Sequence, residues 1–509
     1  MEFGRRLPQA FTALTLVLAT AACGSIAATP AAAGTTGPRA RDNYRPIVVG
    51  VPDLNLPGAK QAGGLDAYFL DTFYYPQGVK QRLTEQKLGL VGAGKADLHR
   101  FGASAVIANL NSDDYPDLVV GAPGVAAKGI KGRVVLLFGS AKGITAKGAQ
   151  VLSAGEAGDE FGASVVSSRH VLLRQHILYV GAPGHDQDGI ANAGGLYRYS
   201  ISAKGKATAI DRLTQSLPAL GGISQADQRF GEVLAPGVDG VVIGLPNAVV
   251  GSAAGAGEVI RLHAGPTSAT FTAEIWTQDS PGVSGTAEPG DHFGAAVVPD
   301  GYAVGIPGED VGSIVDAGAV QTFIGRIDDP NSTEEPVFEP RLLITQADAK
   351  VPGHAEAGDR FGTALTSGII NSEEVASLVV GTPGEDVGAV TDAGSVTFVW
   401  LPKSTGPVWG AFPTMTIRQG RGLPGTPEAG DALGATLGQT YGDNSRDEGL
   451  YDSLLIGAPG EDVGTSTAHR DAGRVILWNR FGDFKLAFGY SGGDLPALRY
   501  GTVFATEQR

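Results

Sequence analysis

The sequence predicts an all-β protein, a seven-bladed β-propeller, from a recurring motif, a turn-rich composition and runs of consecutive apolar residues. The pair Phe-Gly, followed by Gly-x-Pro and then by Ala-Gly before an apolar run, recurs with a period of about 60 to 76 residues. With 76 Gly and 30 Pro among 509 residues, the chain suits short strands joined by tight turns and disfavours long helices. Because each repeat is only one supersecondary piece, we expect one toroidal domain.

Two short motifs define the repeat. Phe-Gly, or a variant with Leu or Tyr in place of Phe, occurs at Phe101-Gly102, Phe161-Gly162, Phe230-Gly231, Phe293-Gly294, Phe361-Gly362, Leu433-Gly434 and Tyr500-Gly501. Gly-x-Pro stands at Gly50-Val-Pro52, Gly121-Ala-Pro123, Gly181-Ala-Pro183, Gly244-Leu-Pro246, Gly305-Ile-Pro307, Gly381-Thr-Pro383 and Gly457-Ala-Pro459. The first Gly-x-Pro has no Phe-Gly before it, and the last aromatic-Gly has no Gly-x-Pro after it. The two ends therefore make one split unit, and we expect 500–505 to pair beside 46–50 and close the ring.

One unit is expected to form a four-stranded antiparallel sheet. In the unit that begins at Phe101, short strands bounded by turn residues are predicted at 101–110, 117–121, 132–138 and 149–153. The run Val134–Phe138 is apolar on successive residues, so both faces of the sheet must be buried against neighbours. Glycine in the motifs permits close backbone approach, and the Phe ring fills the space between adjacent sheets.

These residues resemble the FG-GAP repeat, which builds the seven-bladed propeller at the head of integrin alpha chains and of many bacterial secreted proteins. The resemblance covers about residues 47 to 506. It implies an extracellular scaffold for adhesion or binding, with calcium loops between the first and second strands of some blades. Phospholipases D that act on glycosylphosphatidylinositol also carry such repeats beside a separate catalytic portion. Because the repeats take up nearly all of the mature chain, we expect no such portion here.

The N-terminus is typical of an export signal of the bacterial lipoprotein type. Arg5 and Arg6 precede an apolar stretch, 10–22, that is too short to span a membrane, and the single cysteine, Cys23, follows at once. We expect a signal peptide at 1–23, lipidation of Cys23, a flexible tether at 24–45 and the propeller at 46–509. The alternative is cleavage after Ala33 and secretion.

The net charge of the chain limits the classes of partner that it can bind. A net charge of −15 with scattered basic residues argues against nucleic acid and suits divalent cations or cationic partners. We expect a monomer that contacts the membrane only through the lipid anchor.

The sharpest candidate site is a loop between two strands of the first unit. Asn109, Asn111, Asp113 and Asp117 with the carbonyl of Tyr115 place oxygen atoms at the spacing of a calcium loop. The FG-GAP resemblance implies calcium at these same residues. Because two of the four side chains are Asn, we expect weak affinity, and a loop held only by side chain to backbone hydrogen bonds is the alternative.

A second set of candidates is a recurring acidic motif in the loops between second and third strands. Gly-Glu-Asp-Val-Gly and a following Asp occur three times, and Glu-x-Gly-Asp recurs before the aromatic-Gly positions, so one rim should carry a partial ring of carboxylates. The candidate rim residues are Glu309, Asp310, Asp316, Glu385, Asp386, Asp392, Glu461, Asp462 and Asp471. These residues suit either turn formation or the binding of a cation or cationic partner.

No catalytic motif stands out in the sequence. The eight His residues are dispersed without metal spacing, and no nucleophile elbow or phosphate-binding loop occurs. We therefore expect a non-enzymatic envelope or extracellular scaffold that recognises a protein or polysaccharide. The alternatives are a polysaccharide hydrolase or lyase that uses the acidic loops, and a structural role in the cell envelope.

Overall fold

The computed structural model describes most of one compact unit, Ala40–Arg509. The described residues are 46–70, 76–113, 115–170, 172–237, 239–326, 337–368, 376–401, 414–440, 453–462, 472–478, 486–489 and 502–507. The predicted signal peptide, Cys23, the tether and the aromatic-Gly pair at 500–501 lie outside these residues.

The first half of the described chain is built from short strands. In chain order they are β1 (Pro46–Val51), β2 (Gly64–Leu70), β3 (Pro76–Leu83), β4 (Ser104–Ala108), β5 (Asp117–Ala122), β6 (Arg133–Phe138), β7 (Thr145–Leu152), β8 (Ser164–His170), β9 (Gln175–Ala182), β10 (Gly195–Ile201), β11 (Ala207–Leu213), β12 (Val233–Gly237), β13 (Gly240–Leu245), β14 (Glu258–Ala264) and β15 (Phe271–Trp276).

The second half continues the pattern. Its strands are β16 (Ala296–Val297), β17 (Ala303–Ile306), β18 (Ala319–Arg326), β19 (Val337–Ile344), β20 (Ala364–Gly368), β21 (Ala376–Thr382), β22 (Ser395–Leu401), β23 (Met415–Gln419), β24 (Gly422–Leu423), β25 (Thr436–Thr440), β26 (Ser453–Ala458), β27 (Arg474–Trp478), β28 (Leu486–Gly489) and β29 (Phe504–Glu507). Helix in the described residues is limited to three single 3₁₀ turns, Ala126–Lys128, Pro218–Leu220 and Pro299–Gly301.

The strands form the seven blades that the repeats predicted. Blades 1 to 6 begin at β4, β8, β12, β16, β20 and β25, and each runs through four successive antiparallel strands, with β24 added at the edge of blade 5. Blade 7 consists of β29, β1, β2 and β3, so it draws on both ends of the described chain. The prediction of an all-β, seven-bladed propeller is confirmed.

Strand β29 pairs where the closure prediction required. Val48 lies opposite Ala505 in an antiparallel pair with β1, and Thr506 lies opposite Val106 in a parallel pair with β4. Blades 7 and 1 consequently join into one eight-stranded sheet. The pairing is what a ring completed by the first and last strands needs, since it leaves neither strand as a free edge at that junction.

The strands of the first unit agree with the sequence prediction in number and order. β5 and β6 match closely, β4 begins at Ser104 because Phe101 instead forms an isolated bridge with Gly63 of blade 7, and β7 begins earlier, at Thr145. Every residue of β5 is buried. Val106 and Leu136 of blade 1 share a cluster with Phe161 and Leu178 of blade 2, so the core lies between blades rather than in one centre.

The motif residues meet at each junction between blades. At the junction of blades 4 and 5, Phe361 is fully buried and forms a bridge with Gly318, the glycine of Ala-Gly. Gly362 has a φ of +96° and donates its N–H to Gly381 O of its own blade over 3.1 Å. A Cβ on Gly305, the Gly-x-Pro glycine of blade 4, would overlap the carbonyl oxygen of Gly362. The repeat is therefore a blade-to-blade contact that only glycine backbones can make.

Candidate functional site

The acidic loops converge on one face, which we call the acidic face. It comprises the loops between second and third strands of blades 4, 5 and 6 (308–316, 384–392 and 460–462) and the connections that enter those blades (288–291, 356–359 and 428–431). In each blade the two loops touch, because a loop glycine donates its N–H to the carbonyl of the connection Asp. The bonds are Gly308 N to Asp291 O at 3.0 Å, Gly384 N to Asp359 O at 3.1 Å and Gly460 N to Asp431 O at 3.1 Å.

Four of the candidate rim residues shape the turns. Asp310 Oδ1 accepts the N–H of Asp316 at 2.9 Å, and Asp386 Oδ1 accepts the N–H of Asp392 at 3.0 Å. Asp316 and Asp392 have φ values of +51° and +50°, a conformation that Asp tolerates better than most residues. Turn chemistry thus accounts for their positions, and Asp310 and Asp392 remain exposed to solvent.

The three Glu residues of the motif face inward instead of lining the surface. Gln278 Nε2 donates to Glu309 Oε2 at 2.6 Å and Gln346 Nε2 donates to Glu385 Oε2 at 2.5 Å, while Gln419 makes the same bond to Glu461. Gln278 and Gln346 follow the outermost strand of one blade, Gln419 is the last residue of β23, and each Glu belongs to the next blade. These contacts therefore cross blades 3 and 4, 4 and 5, and 5 and 6.

A connection Asp completes each contact and makes a Gln-Glu-Asp cluster. The members are Gln278, Glu309 and Asp291; Gln346, Glu385 and Asp359; and Gln419, Glu461 and Asp431. The three Asp residues are at most 2% exposed, and each accepts one backbone N–H, from Glu288, Glu356 or Glu428.

Burial changes the proton affinity of these acids. Desolvation, reinforced by neighbouring carboxylates, raises the pKa of Asp291 to about 6 and those of Glu309, Asp359 and Asp431 to about 7. It also raises the pKa values of Glu385 and Glu461, which the Gln amides partly offset. These buried carboxyl groups therefore keep their protons to a higher pH than exposed acids do.

Sequence reasoning missed the Gln members, and it placed the connection Asp residues in the acidic rim without naming them as site residues. The signal was present, since Thr-Gln closes the outer strand region at Thr277-Gln278 and Thr345-Gln346, and Asp stands two residues before the aromatic position. Their meeting is a tertiary event, because the Gln belongs to the preceding blade. Of the remaining rim candidates, Asp462 is half-buried and Asp471 lies outside the described residues.

The structure distributes the candidate acids among blade junctions. Glu309, Glu385 and Glu461 each belong to a different cluster and each binds a Gln amide. A glycosidase pair drawn from any two of these Glu residues would have to span different blades.

The predicted calcium loop folds as a hydrogen-bonded hairpin loop. Asp117 is fully buried, its Oδ2 accepts the N–H groups of Leu110 at 2.8 Å and Asn111 at 3.2 Å, and its Oδ1 accepts that of Gly139 at 2.9 Å. Burial, with the nearby charge of Asp113, raises the pKa of Asp117 to about 6, although the backbone N–H groups oppose the shift.

The other loop side chains are engaged with one another. Asn111 Nδ2 donates to Asp113 Oδ2 at 2.8 Å, Asn109 Nδ2 donates to Asp113 O, and Asp113 Oδ1 accepts the N–H of Tyr115 at 2.7 Å. An amide nitrogen cannot bind a cation, so calcium fits this loop only if both Asn amides turn their oxygen atoms inward. With that rotation, Asn109, Asn111, Asp113, the Tyr115 carbonyl and Asp117 supply a donor set of hard oxygen atoms.

Two absences hold for the part of the chain that the structure describes. It contains no group of three or more His, Cys, Asp or Glu side chains arranged to hold a metal ion. None of its helices has the length and apolar character that crossing a membrane requires.

Comparison with known proteins supports the repeat and little beyond it. A relative is the phosphatidylinositol-glycan-specific phospholipase D of Bos taurus, 30% identical over 105 residues, which is 20% of this chain and 12% of the relative. A solved structure described as NanB plus Optactamide aligns with 82% of this chain and 66% of its own, at 11% identity and a TM-score of 0.34, which is too low to support an argument. Residues 101–137 match the FG-GAP repeat family. The protein thus carries an FG-GAP repeat in its first full blade and folds as a seven-bladed β-propeller.

Proposed function

We propose that this protein is a non-enzymatic binding scaffold of the cell exterior that recognises a cationic protein or polysaccharide through its acidic face. The observation that carries the proposal is the recurrence of exposed carboxylates at matching positions of three successive blades. Glu288, Glu356 and Glu428 are all exposed beside the buried clusters. A rigid ring that repeats one charge pattern suits a partner with repeated positive charges.

The test compares two charge variants for binding to defined polymers. The triple variant Glu288→Gln, Glu356→Gln, Glu428→Gln removes exposed charge while keeping the backbone N–H groups that hold the connection Asp residues. Its control, Asp113→Asn, removes one charge from a loop between first and second strands, on the opposite face. Probes are a glucosamine polymer, a neutral glucan and a lysine-rich peptide, with binding followed at rising salt. Salt-sensitive binding to the cationic probes that only the triple variant loses supports the proposal, and equal binding by all three proteins refutes it.

The second candidate function is a polysaccharide hydrolase or lyase, favoured by the raised pKa values of the clusters, which are common at catalytic sites. A panel of polysaccharides incubated with the protein and with Glu385→Gln distinguishes the two. Turnover by the native chain that the variant lacks would overturn the binding-only role.

We further propose that calcium binds weakly at Asn109, Asn111, Asp113, Tyr115 and Asp117. Two Asn side chains leave this site with little negative charge, which is the reason for the weak affinity. Calorimetric titration of the native chain and of Asp113→Asn tests the site, since only the native chain should bind there.

Localisation and assembly are also proposals. Export followed by lipidation at Cys23 would place the propeller at the membrane surface as a monomer, and cleavage after Ala33 would release it. Mass spectrometry of the membrane fraction, with Cys23→Ser as the control, separates the two fates. Light scattering measures the oligomeric state.

A further inference from the structure

The Gln-Glu-Asp clusters differ in how their negative charge is neutralised, and the other blade junctions show what can neutralise it. At the junction of blades 5 and 6, Arg474 Nη1 lies 2.5 Å from Glu461 Oε1. At the junction of blades 1 and 2, the position of the motif Glu is taken by His185, whose Nδ1 lies 3.1 Å from Asp159 Oδ2.

At the junction of blades 7 and 1 a basic side chain also neutralises the acid, but here the base lies in the connection and the acid follows the outer strand. His99 takes the place of the connection Asp, and its Nδ1 lies 2.5 Å from Glu85, which follows the outer strand of blade 7. Arg133 of β6, in the position equivalent to Arg474, lies 3.4 Å from the same Glu85. A basic side chain therefore stands within the acid cluster at all three of these junctions.

The junctions of blades 3 and 4 and of blades 4 and 5 keep both acids, and no basic side chain takes the place of either acid there. His292 acts on Asp291, but more weakly than the neighbouring Glu288 and Asp310. The charged groups that act on Glu309 are all carboxylates, namely Asp291, Glu288 and Asp310. At Glu385 the only basic group acting is Arg418, a weaker influence than the neighbouring Glu356.

Each of these two clusters also contains a buried oxygen without a hydrogen-bond donor. Gln278 is 2% exposed and Gln346 is 3% exposed, and the Oε1 atom of each has no partner although its Nε2 binds the Glu. Gln419 Oε1 is buried without a partner in the same way, so what separates its cluster from these two is Arg474. An amide oxygen buried without a partner costs free energy. Rotation of the amide turns this oxygen toward the carboxylate, an arrangement that is favourable only if a cation lies between the two oxygen atoms.

A glycine loop covers the Gln and Glu members of each cluster. A Cβ on Gly285 would lie 3.0 Å from Gln278 Nε2 and 3.4 Å from Glu309 Oε1, and one on Gly353 would lie 3.6 Å from Gln346 Nε2. Glu309 remains partly open to solvent, which gives a small ligand a route to the cluster.

We propose that the junctions of blades 3 and 4 and of blades 4 and 5 each bind a hard divalent cation, calcium, between the connection Asp and the motif Glu. The ligands are Asp291, Glu309 and the Gln278 amide oxygen at the first site. At the second they are Asp359, Glu385 and the Gln346 amide oxygen. Two carboxylates and one amide leave positions for water, which calcium accepts readily. The ion takes the role that His and Arg side chains perform at the junctions of blades 7 and 1, 1 and 2, and 5 and 6, and it joins adjacent blades.

The experiment counts calcium ions in the full chain by calorimetric titration at pH 7.5, after chelator treatment. The Asp113→Asn background removes the loop between β4 and β5 from the count. We expect about two ions per chain in that background and none after Glu309→Gln and Glu385→Gln are added. The matched control is Glu461→Gln, which alters a cluster that Arg474 already neutralises and should leave the count at about two.

Three outcomes are decisive. No binding in the Asp113→Asn background overturns the proposal and leaves protons as the neutralising species. Binding that survives the double Glu variant also overturns it. If the double variant does not fold, Asp291→Asn with Asp359→Asn replaces it, and if neither folds, the count in the Asp113→Asn background decides, with about two ions in support.

Discussion

The Phe-Gly glycine is predicted to hold adjacent blades together through close approach, and Gly362→Ala tests this directly. A Cβ at Gly362 would lie 2.5 Å from Ala319 O of blade 4. Real Cβ atoms essentially never come within 3.0 Å of another heavy atom, so the backbones of blades 4 and 5 would have to separate by 3.0 − 2.5, or about 0.5 Å. The left-handed φ of +96° adds a second penalty.

The matched control is Gly358→Ala in the same connection. Gly358 has a φ of +86°, and a Cβ there would meet nothing within 4 Å. Both variants should lose about 1–2 kcal/mol to the left-handed conformation. Gly362→Ala should lose about 1–3 kcal/mol more through overpacking against Ala319 and loosening of the buried Phe361. Differential scanning calorimetry at one scan rate compares the two melting temperatures. Equal shifts would refute the close-approach explanation of the repeat.

Three further predictions concern pH, a buried ion pair and the closing strand. Burial raises the pKa of Glu258 from 4.5 to about 7, so its protonated form stabilises the fold at low pH and this stability is lost as pH rises through 7. Glu258→Gln should therefore reduce the loss of unfolding free energy between pH 5 and 8 by up to about 3 kcal/mol, which makes the melting temperature depend less on pH, and an unchanged profile would contradict this. Asp211→Ala should lower the free energy of unfolding, measured by chemical denaturation, by about 3 kcal/mol, because it leaves Arg198, which is 1% exposed, without its ion-pair partner. Adding Arg198→Met should recover part of the loss. Deleting 499–509 removes β29 from between β1 and β4 and should lower the melting temperature by far more than trimming an ordinary tail, so an unchanged value would argue against closure.

The fold was predictable because the same motifs recur in every blade. Each copy of Phe-Gly and Gly-x-Pro marks the same two strands, so even the softened copy Leu433-Gly434 could be placed. In the structure, Leu433 bridges Gly394 as Phe361 bridges Gly318. Strand ends were less predictable, since Phe101 looked like the start of a strand and instead reaches across to blade 7.

The roles of the acidic residues could not be predicted from spacing alone. Asp310 and Glu309 are neighbours in one motif, yet Asp310 holds a turn and Glu309 faces the preceding blade. A side chain that reaches across a junction depends on the residue that meets it there. That residue, Gln278, lies 31 positions earlier in the chain.

The sequence by itself determined the number of blades, their order and the split unit that joins the two ends, because glycine and aromatic residues recur wherever one backbone must approach the next. Only the tertiary structure decided which acids are surface groups and which are buried at the junctions. The physical reason is that burial, pairing with Gln and the presence or absence of a basic side chain are properties of two adjacent blades, and no single repeat contains both halves of that contact.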